Sequence, residues 1–280
     1  MTDRYAIVGN PVAHSKSPLI HAEFARRTGQ DISYERLLAP IDAFAATVDA
    51  FAGSGGRGLN VTVPFKVEAF ALAAECTERA RLAKAVNTLK RVGDRWHADN
   101  TDGAGLVHDL VLNLGIALAG RRVAVLGAGG AAHGILAPIL AAHPACVVIA
   151  NRTTAKADTL AGDFARLGPI AAVAPHDLEG ATFDVVINAT SFGMREGDPG
   201  PAPCPGSIFA TGSFAYDLVY ARADAPTPFV RFACDHGAAR AADGLGMLIE
   251  QAAESFCLWR GVRPDTTAMF QVLRGHPRAA

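Results

Sequence analysis

Short apolar runs alternate with stretches whose apolar positions recur at helical spacing, and the alternation begins in the first residues of the chain. RYAIV is followed by SPLIHAEFARRTG, ISYERLL by IDAFAATVDAFAG, and GLNVTV by FKVEAFALAAE. A strand answered each time by a helical pattern implies a sheet with parallel neighbours and crossover helices. VNTLKRVGDRWHADN breaks this rhythm, because two β-prone stretches flank the turn pair Gly93-Asp94 and predict a hairpin.

Asp102 opens DGAGLVHDLVLNLG, a helical pattern with apolar residues at Leu106, Leu110, Val111 and Leu114 and an acid at its positive end; it is expected to bridge two domains. RRVAVLGAGGAAHGILAPILAA then reads as strand, glycine-rich turn and helix, and CVVIANRTTAKADTLAGDFARLG as the next strand and helix. Further strands are expected over 170–173, 184–188 and 213–218, and the proline- and glycine-rich residues 196–206 as a surface loop. The closing helical patterns GLGMLIEQAAESFCLWRG and PDTTAMFQVLRG need an apolar surface and are assigned to the first domain. The predicted class is α/β. An N-terminal α/β domain with a mainly parallel sheet (1–103 and 244–280) is joined to a Rossmann-type domain (104–243), with C-terminal helices returning to the first.

The 280-residue length allows two cores. A formal net charge of −1, with both signs spread along the chain, argues against a nucleic-acid or membrane-surface partner. MTDRYAIVGN lacks a basic n-region and a cleavage site, and the longest apolar tract, 134–150, is interrupted by Pro138, His143 and Pro144, so neither a signal peptide nor a membrane span is expected. The five cysteines, Cys76, Cys146, Cys204, Cys234 and Cys257, lie far apart with no CxxC, and read as reduced, mostly buried thiols of a cytoplasmic protein.

VAVLGAGGAAHG places G-x-G-x-x-A at Gly127, Gly129 and Ala132, between a β-branched strand and a helix. The first glycine permits a tight turn, the second lets a pyrophosphate approach, and Ala132 allows close helix packing. The next strand does not end in the Asp or Glu that binds an NAD ribose; Asn151, Arg152, Thr153 and Lys156 follow it instead, which favours NADP. An Arg152 that simply begins a helix in water is the plainer alternative. In GNPVAHSKSPLIH, Ser15 and Ser17 offer a cradle for a small carboxylate, or Ser17 is an ordinary helix cap. His14 and His21 have no third ligand at suitable spacing, so no metal is expected. Thr62, Lys66, Asn87, Asn100 and Asp102 recur at the ends of apolar runs; if those ends converge, Lys66 and Asp102 form an ammonium-carboxylate pair able to exchange a proton with a hydroxyl or ketone.

GNPVAHSKSPLIH, NVTVPFK, AVNTL, NTDGAG, GAGGAA, NRTTAK, NATSFGM, YDLVY and DGLGMLIEQAAESF together resemble the shikimate dehydrogenase family, from Tyr5 to about Gly261. The resemblance implies NADP-dependent interconversion of 3-dehydroshikimate and shikimate, on a substrate domain and a Rossmann domain. By the same resemblance Ser15 and Ser17 hold the carboxylate, while Thr62, Lys66, Asn87, Asp102 and Gln251 hold the ring hydroxyls, and Tyr220 reaches the substrate from the cofactor side. The cofactor is then expected against Gly127, Ala128, Gly129, Gly130 and Ala131, against Asn151, Arg152, Thr153 and Lys156, and near Thr190, Leu218 and Gly244. Quinate or quinate/shikimate dehydrogenase is the rival enzyme, and a non-catalytic NADP-binding regulator the rival from another class. The expected partner is a small molecule; a homodimer is the assembly entertained, with the oligomeric state left open.

Overall fold

The computed structural model describes residues 2–194, 200–221 and 225–274. They divide into two compact units, one running to Gly105 and resuming at Ile249, the other spanning Leu106–Leu248. In the first, β1 (Asp3–Gly9), α1 (Ser17–Thr28), β2 (Ile32–Leu38), α2 (Phe44–Gly53) and β3 (Gly56–Val61) alternate as the apolar pattern predicts, and β1 pairs in parallel with both β2 and β3. After them come α3 (Lys66–Leu72), β4 (Glu75–Cys76), α4 (Glu78–Ala83), β5 (Thr88–Val92) and β6 (Arg95–Asp99). The sheet order is β2-β1-β3-β5-β6-β4. It is mixed, because the β5–β6 hairpin is antiparallel and β5 also runs against β3.

The sequence pattern extends α3 through Glu75, but the helix stops at Leu72. Ala74 and Thr77 donate backbone hydrogen bonds to Trp96 and Ala98 instead, and the intervening pair becomes β4 beside β6. A sheet edge thus outweighs local helical spacing. Side chains alternate across β1: Ala6 and Val8 enter a core with Phe44, Val48 and Phe51 of α2 and with Phe65 and Ala69, while Tyr5 faces the opposite side.

In the second unit α5 (Asp102–His108), whose start belongs to the first, continues into a π-helical turn, Asp109–Asn113. Then follow β7 (Arg122–Leu126), α6 (Gly130–Ala141), β8 (Cys146–Ala150), α7 (Thr154–Phe164), β9 (Ile170–Val173), β10 (Phe183–Asn188), β11 (Phe209–Asp217), α8 (Pro228–Asp235) and β12 (Arg240–Ala242). All pairings are parallel, in the order β9-β8-β7-β10-β11-β12. Counted from β7 this is the doubly wound order 3-2-1-4-5-6, with its switch point between β7 and β10. β11 starts at Phe209, ahead of the expected Ser213, and its first residues shelter Phe209 in a core with Phe183, Ile208 and Phe229. Of the expected loop over 196–206, residues 196–199 lie outside the described residues.

α9 (Leu245–Arg260) and α10 (Thr267–Arg274) are the last described elements, and from Ile249 onward they belong to the first unit. There Trp259 packs against Tyr5, centroids 4.7 Å apart and planes tilted by 30°, and donates to the Leu89 carbonyl at 2.9 Å. Among the described residues no helix is long and apolar enough to cross a membrane. The thiols are less buried than expected: only Cys204 is buried, and Cys234 is exposed on the outer face of α8, a strongly amphipathic helix.

Candidate active site

In the first unit the edge of the sheet formed by the end of β3, the start of β5 and the end of β6 gathers most of the expected polar residues. Lys66, the first residue of α3, places Nζ 2.5 Å from Oδ2 of Asp102, the first residue of α5. The lysine side chain keeps 25% of its exposure and the aspartate 9%. Asn87 does not follow a strand, as the sequence pattern suggested; it immediately precedes β5, and reaches this edge because β5 runs against β3. Its Nδ2 donates to the other carboxylate oxygen of Asp102 at 2.8 Å, and also lies 3.2 Å from Gln251 Oε1. Both oxygens of Asp102 are therefore committed, which fixes the carboxylate plane. The ammonium has three donors, and its open side leaves it free to meet a ligand. A pair so placed contributes little to stability.

A network supports this edge, in which Asn100 was expected and Thr101, Asn60, Ser255 and Tyr34 were not. Thr101 donates its backbone N–H to Asn87 Oδ1 at 2.8 Å, and Asn100 Oδ1 accepts from the Asp102 N–H at 3.1 Å. Asn60 donates to the Asn87 carbonyl and to Ser255 Oγ, and accepts from the Tyr34 hydroxyl at 2.7 Å. Asn60 had a legible signal: a buried amide inside the apolar run GLNVTV must find partners. Thr62 follows β3 and is half-buried, with its backbone N–H bonded to Val8.

Ser15 donates from Oγ to Ser17 Oγ at 3.1 Å and accepts from the Ser17 N–H at 3.2 Å. Ser17 is the first residue of α1; the cap position is Lys16, whose side chain makes no capping bond, so the plain helix-cap alternative for Ser17 does not hold. The Ser17 hydroxyl lies beside the Tyr34 phenol, and burial pushes that phenol well above its usual range. His14 is exposed, whereas His21 is fully buried and flat on Tyr34, with centroids 4.3 Å apart and planes at 8°. Neither ring nitrogen of His21 has a hydrogen-bond partner. Burial lowers its pKa from 6.5 to about 3, with the neighbouring Asn60 opposing more weakly.

In the second unit a cavity of about 730 Å³ opens at the switch point, lined by the Gly127–Gly129 turn, Asn151, Arg152, Thr153, Lys156 and Thr190. Gly127 has φ +104°, and a Cβ there would stand 3.0 Å from the Ala189 carbonyl oxygen, so the turn accepts no larger residue without strain. Gly130 and Ala131 form the exposed first turn of α6, outside that lining. Phe192, Pro175 and Pro201–Pro203 add apolar wall that the motifs did not indicate. The cavity offers a glycine turn at a helix start, two cations and no acid at the end of β8, which fits a dinucleotide carrying a further phosphate.

Thr190 is held by Asn188, whose Oδ1 accepts from its hydroxyl at 2.6 Å and whose Nδ2 donates to Asp217 at 2.8 Å. Burial pushes Asp217 up to about 6, against hydrogen bonds from Thr227, Asn188 and the Val219 N–H. Leu218 and Gly244 meet directly: a Cβ on Gly244 would lie 2.3 Å from the Leu218 carbonyl oxygen. Tyr220 follows β11 in this second unit and is half-buried.

Comparison with known proteins agrees along the chain. Residues 7–89 match the shikimate dehydrogenase substrate binding domain, 110–193 the shikimate/quinate 5-dehydrogenase domain, and 244–274 the shikimate 5′-dehydrogenase C-terminal domain. The NADP(+) shikimate dehydrogenase of Nitrosospira multiformis is 56% identical over 98% of both chains. Among solved structures, an Ael1 enzyme from Pseudomonas putida has a TM-score of 0.91 at 46% identity, covering 98% of each chain. Shikimate 5-dehydrogenase from Thermus thermophilus, in complex with NADP(H) and shikimate, has a TM-score of 0.84 at 34% identity, covering 96% of this chain and 97% of that one. With several motifs, the doubly wound sheet and full-length identity all pointing the same way, the chain belongs to the shikimate dehydrogenase family.

Proposed function

We propose that this protein catalyses the NADPH-dependent, reversible reduction of 3-dehydroshikimate to shikimate, a step of aromatic amino-acid biosynthesis. The observation that carries the reading is the Lys66–Asp102 pair at 2.5 Å, locked by Asn87 and left open on the ammonium side. The first unit is the substrate domain and the second the NADP-binding domain. Ser15 and Ser17 take the substrate carboxylate, and Thr62, Asn87, Asp102, Gln251 and Tyr220 take the ring hydroxyls. The Gly127–Gly129 turn with Gly130 and Ala131 at the start of α6, and Asn151, Arg152, Thr153, Lys156, Thr190, Leu218 and Gly244, hold the cofactor, with Arg152 and Lys156 on the 2′-phosphate.

Bound there, NADPH supplies a hydride to the carbonyl carbon. Lys66 gives one proton to the carbonyl oxygen as it becomes a hydroxyl, and takes that proton back in the reverse direction. Asp102 keeps the ammonium aimed and its charge balanced. The five thiols form no disulfide, in keeping with a cytoplasmic enzyme.

Incubating the protein with NADP⁺ and shikimate while following the absorbance of the reduced cofactor tests the proposal. Rapid reduction with shikimate, and slow reduction with quinate, is expected. Quinate differs by a saturated ring and a hydroxyl beside the carboxylate, where Ser15 and Ser17 would have to give way. A higher kcat/KM for quinate would move the enzyme to the catabolic branch, and reduction with neither would refute the assignment.

A further inference from the structure

The serine segment is gripped from outside by β2. Arg36 stands two residues after Tyr34 on that strand, hence on the same face. Its Nε and Nη2 donate to the Ser15 carbonyl oxygen at 3.1 and 2.6 Å. A guanidinium usually chelates a carboxylate in this fashion; here it chelates one backbone oxygen, and among the described residues no acid pairs with it. Lys66, by contrast, already has its counter-charge in Asp102. The hydroxyls of Ser15 and Ser17 are neutral, so a carboxylate bound to them would be left with little compensation from its immediate ligands.

We propose that Arg36 is a specificity residue for the anionic end of the substrate, acting through the Ser15 segment that it holds. The proposal rests on the substrate reading given above. Arg36 serves in two ways: it fixes the Ser15 backbone, and it supplies the unbalanced positive charge that favours an acid over a neutral analogue. Its charge already reaches this region, since it acts on the Tyr34 phenol next to Ser17. With each partner at hydrogen-bond distance, a guanidinium on the carbonyl and an anion on the hydroxyl of one serine would stand about 6–8 Å apart. At an effective dielectric of about 40–80 for an exposed group, that separation corresponds to about a two- to tenfold effect on binding. Lys16 lies between the two serines in sequence, so loss of Arg36 reduces the preference and does not abolish it.

The test compares wild type, Arg36→Gln and Arg36→Lys on shikimate and on its methyl ester, the ester being read as substrate or as competitive ligand. Wild-type turnover of shikimate is measured first and decides the enzyme reading by itself; a wild type that leaves shikimate untouched overturns both. Given normal wild-type turnover, Arg36→Gln is expected to raise KM for shikimate about two- to tenfold at low salt. Its effect on the ester should stay within about twofold, with kcat and KM for NADP⁺ held, and Arg36→Lys should recover most of the loss. The preference for the acid should fade towards about 1 M salt, where the screening length is only about 3 Å. Equal losses on acid and ester, a loss indifferent to salt, or no loss at all would overturn the charge proposal while leaving the enzyme reading in place.

Discussion

His21 gives the first unit a specific weakness to acid. In the unfolded chain its imidazole binds a proton near 6.5; in the folded protein burial delays this to about 3. Above pH 6.5 both states are neutral and the residue has no effect on stability. As pH falls below that point only the unfolded state takes up the proton, so stability drops by about 1.4 kcal/mol per pH unit until the folded ring titrates too. Two units down, near pH 4.5, the loss from this one residue is about 2.5–3 kcal/mol, a large part of the net stability of a domain. His21→Phe keeps a ring against Tyr34 and removes the titration. The nitrogens it deletes have no partners to strand. Both tryptophans of the chain, Trp96 and Trp259, lie in the first unit, so their fluorescence follows that unit's unfolding in urea. Wild type and His21→Phe should have similar stability at pH 7.5, and by pH 4.5 the wild type should have lost about 2.5 kcal/mol more. The carboxylates common to both cancel in the comparison. Parallel pH profiles, agreeing within about 0.5 kcal/mol, would show that the ring is protonated or hydrated in the folded state and would refute the argument.

Lys66→Ala should lower turnover by about 10² to 10⁴ while leaving NADPH affinity nearly unchanged by fluorescence titration; a variant with most of the wild-type kcat would remove Lys66 from the chemical step. Arg152→Ala should weaken NADP by about ten- to a hundredfold and leave NAD unaffected, as expected for one charged hydrogen-bonding group; calorimetry showing equal losses for both would place the 2′-phosphate elsewhere. Tyr34→Phe leaves Asn60 Oδ1 without its donor and should cost about 1–2 kcal/mol of urea stability, read by the same tryptophans; an unchanged midpoint would mean water replaces the hydroxyl.

What the sequence makes legible follows from the distance over which each arrangement is decided. The glycine turn at Gly127 is settled within a few residues, by a β-branched strand before it and a helix after it, and it stands where the motif puts it. The absence of an acid after β8 is equally local. Lys66 and Asp102 are residue types suited to one another, but their meeting depends on α3 and α5 both starting at one edge of a sheet. The β5–β6 hairpin was readable from Gly93-Asp94; that β5 also runs against β3, delivering Asn87 to the same edge, is a pairing between segments and leaves no trace in either. Tyr34 and Asn60 show the limit most plainly. They stand on strands flanking β1, opposite Tyr5 and Ile7 respectively, so the phenol must cross β1 to reach its amide. Strands two apart are separated by about 9.5 Å, a gap that a tyrosine leaning along the sheet towards a short amide can close and a serine or threonine cannot. A shift of one residue in either pairing would turn one of the two side chains to the other face and break the link. The bond that ties the serine segment to the Asn87 edge therefore depends on the register of three strands, and no reading of one segment at a time contains it.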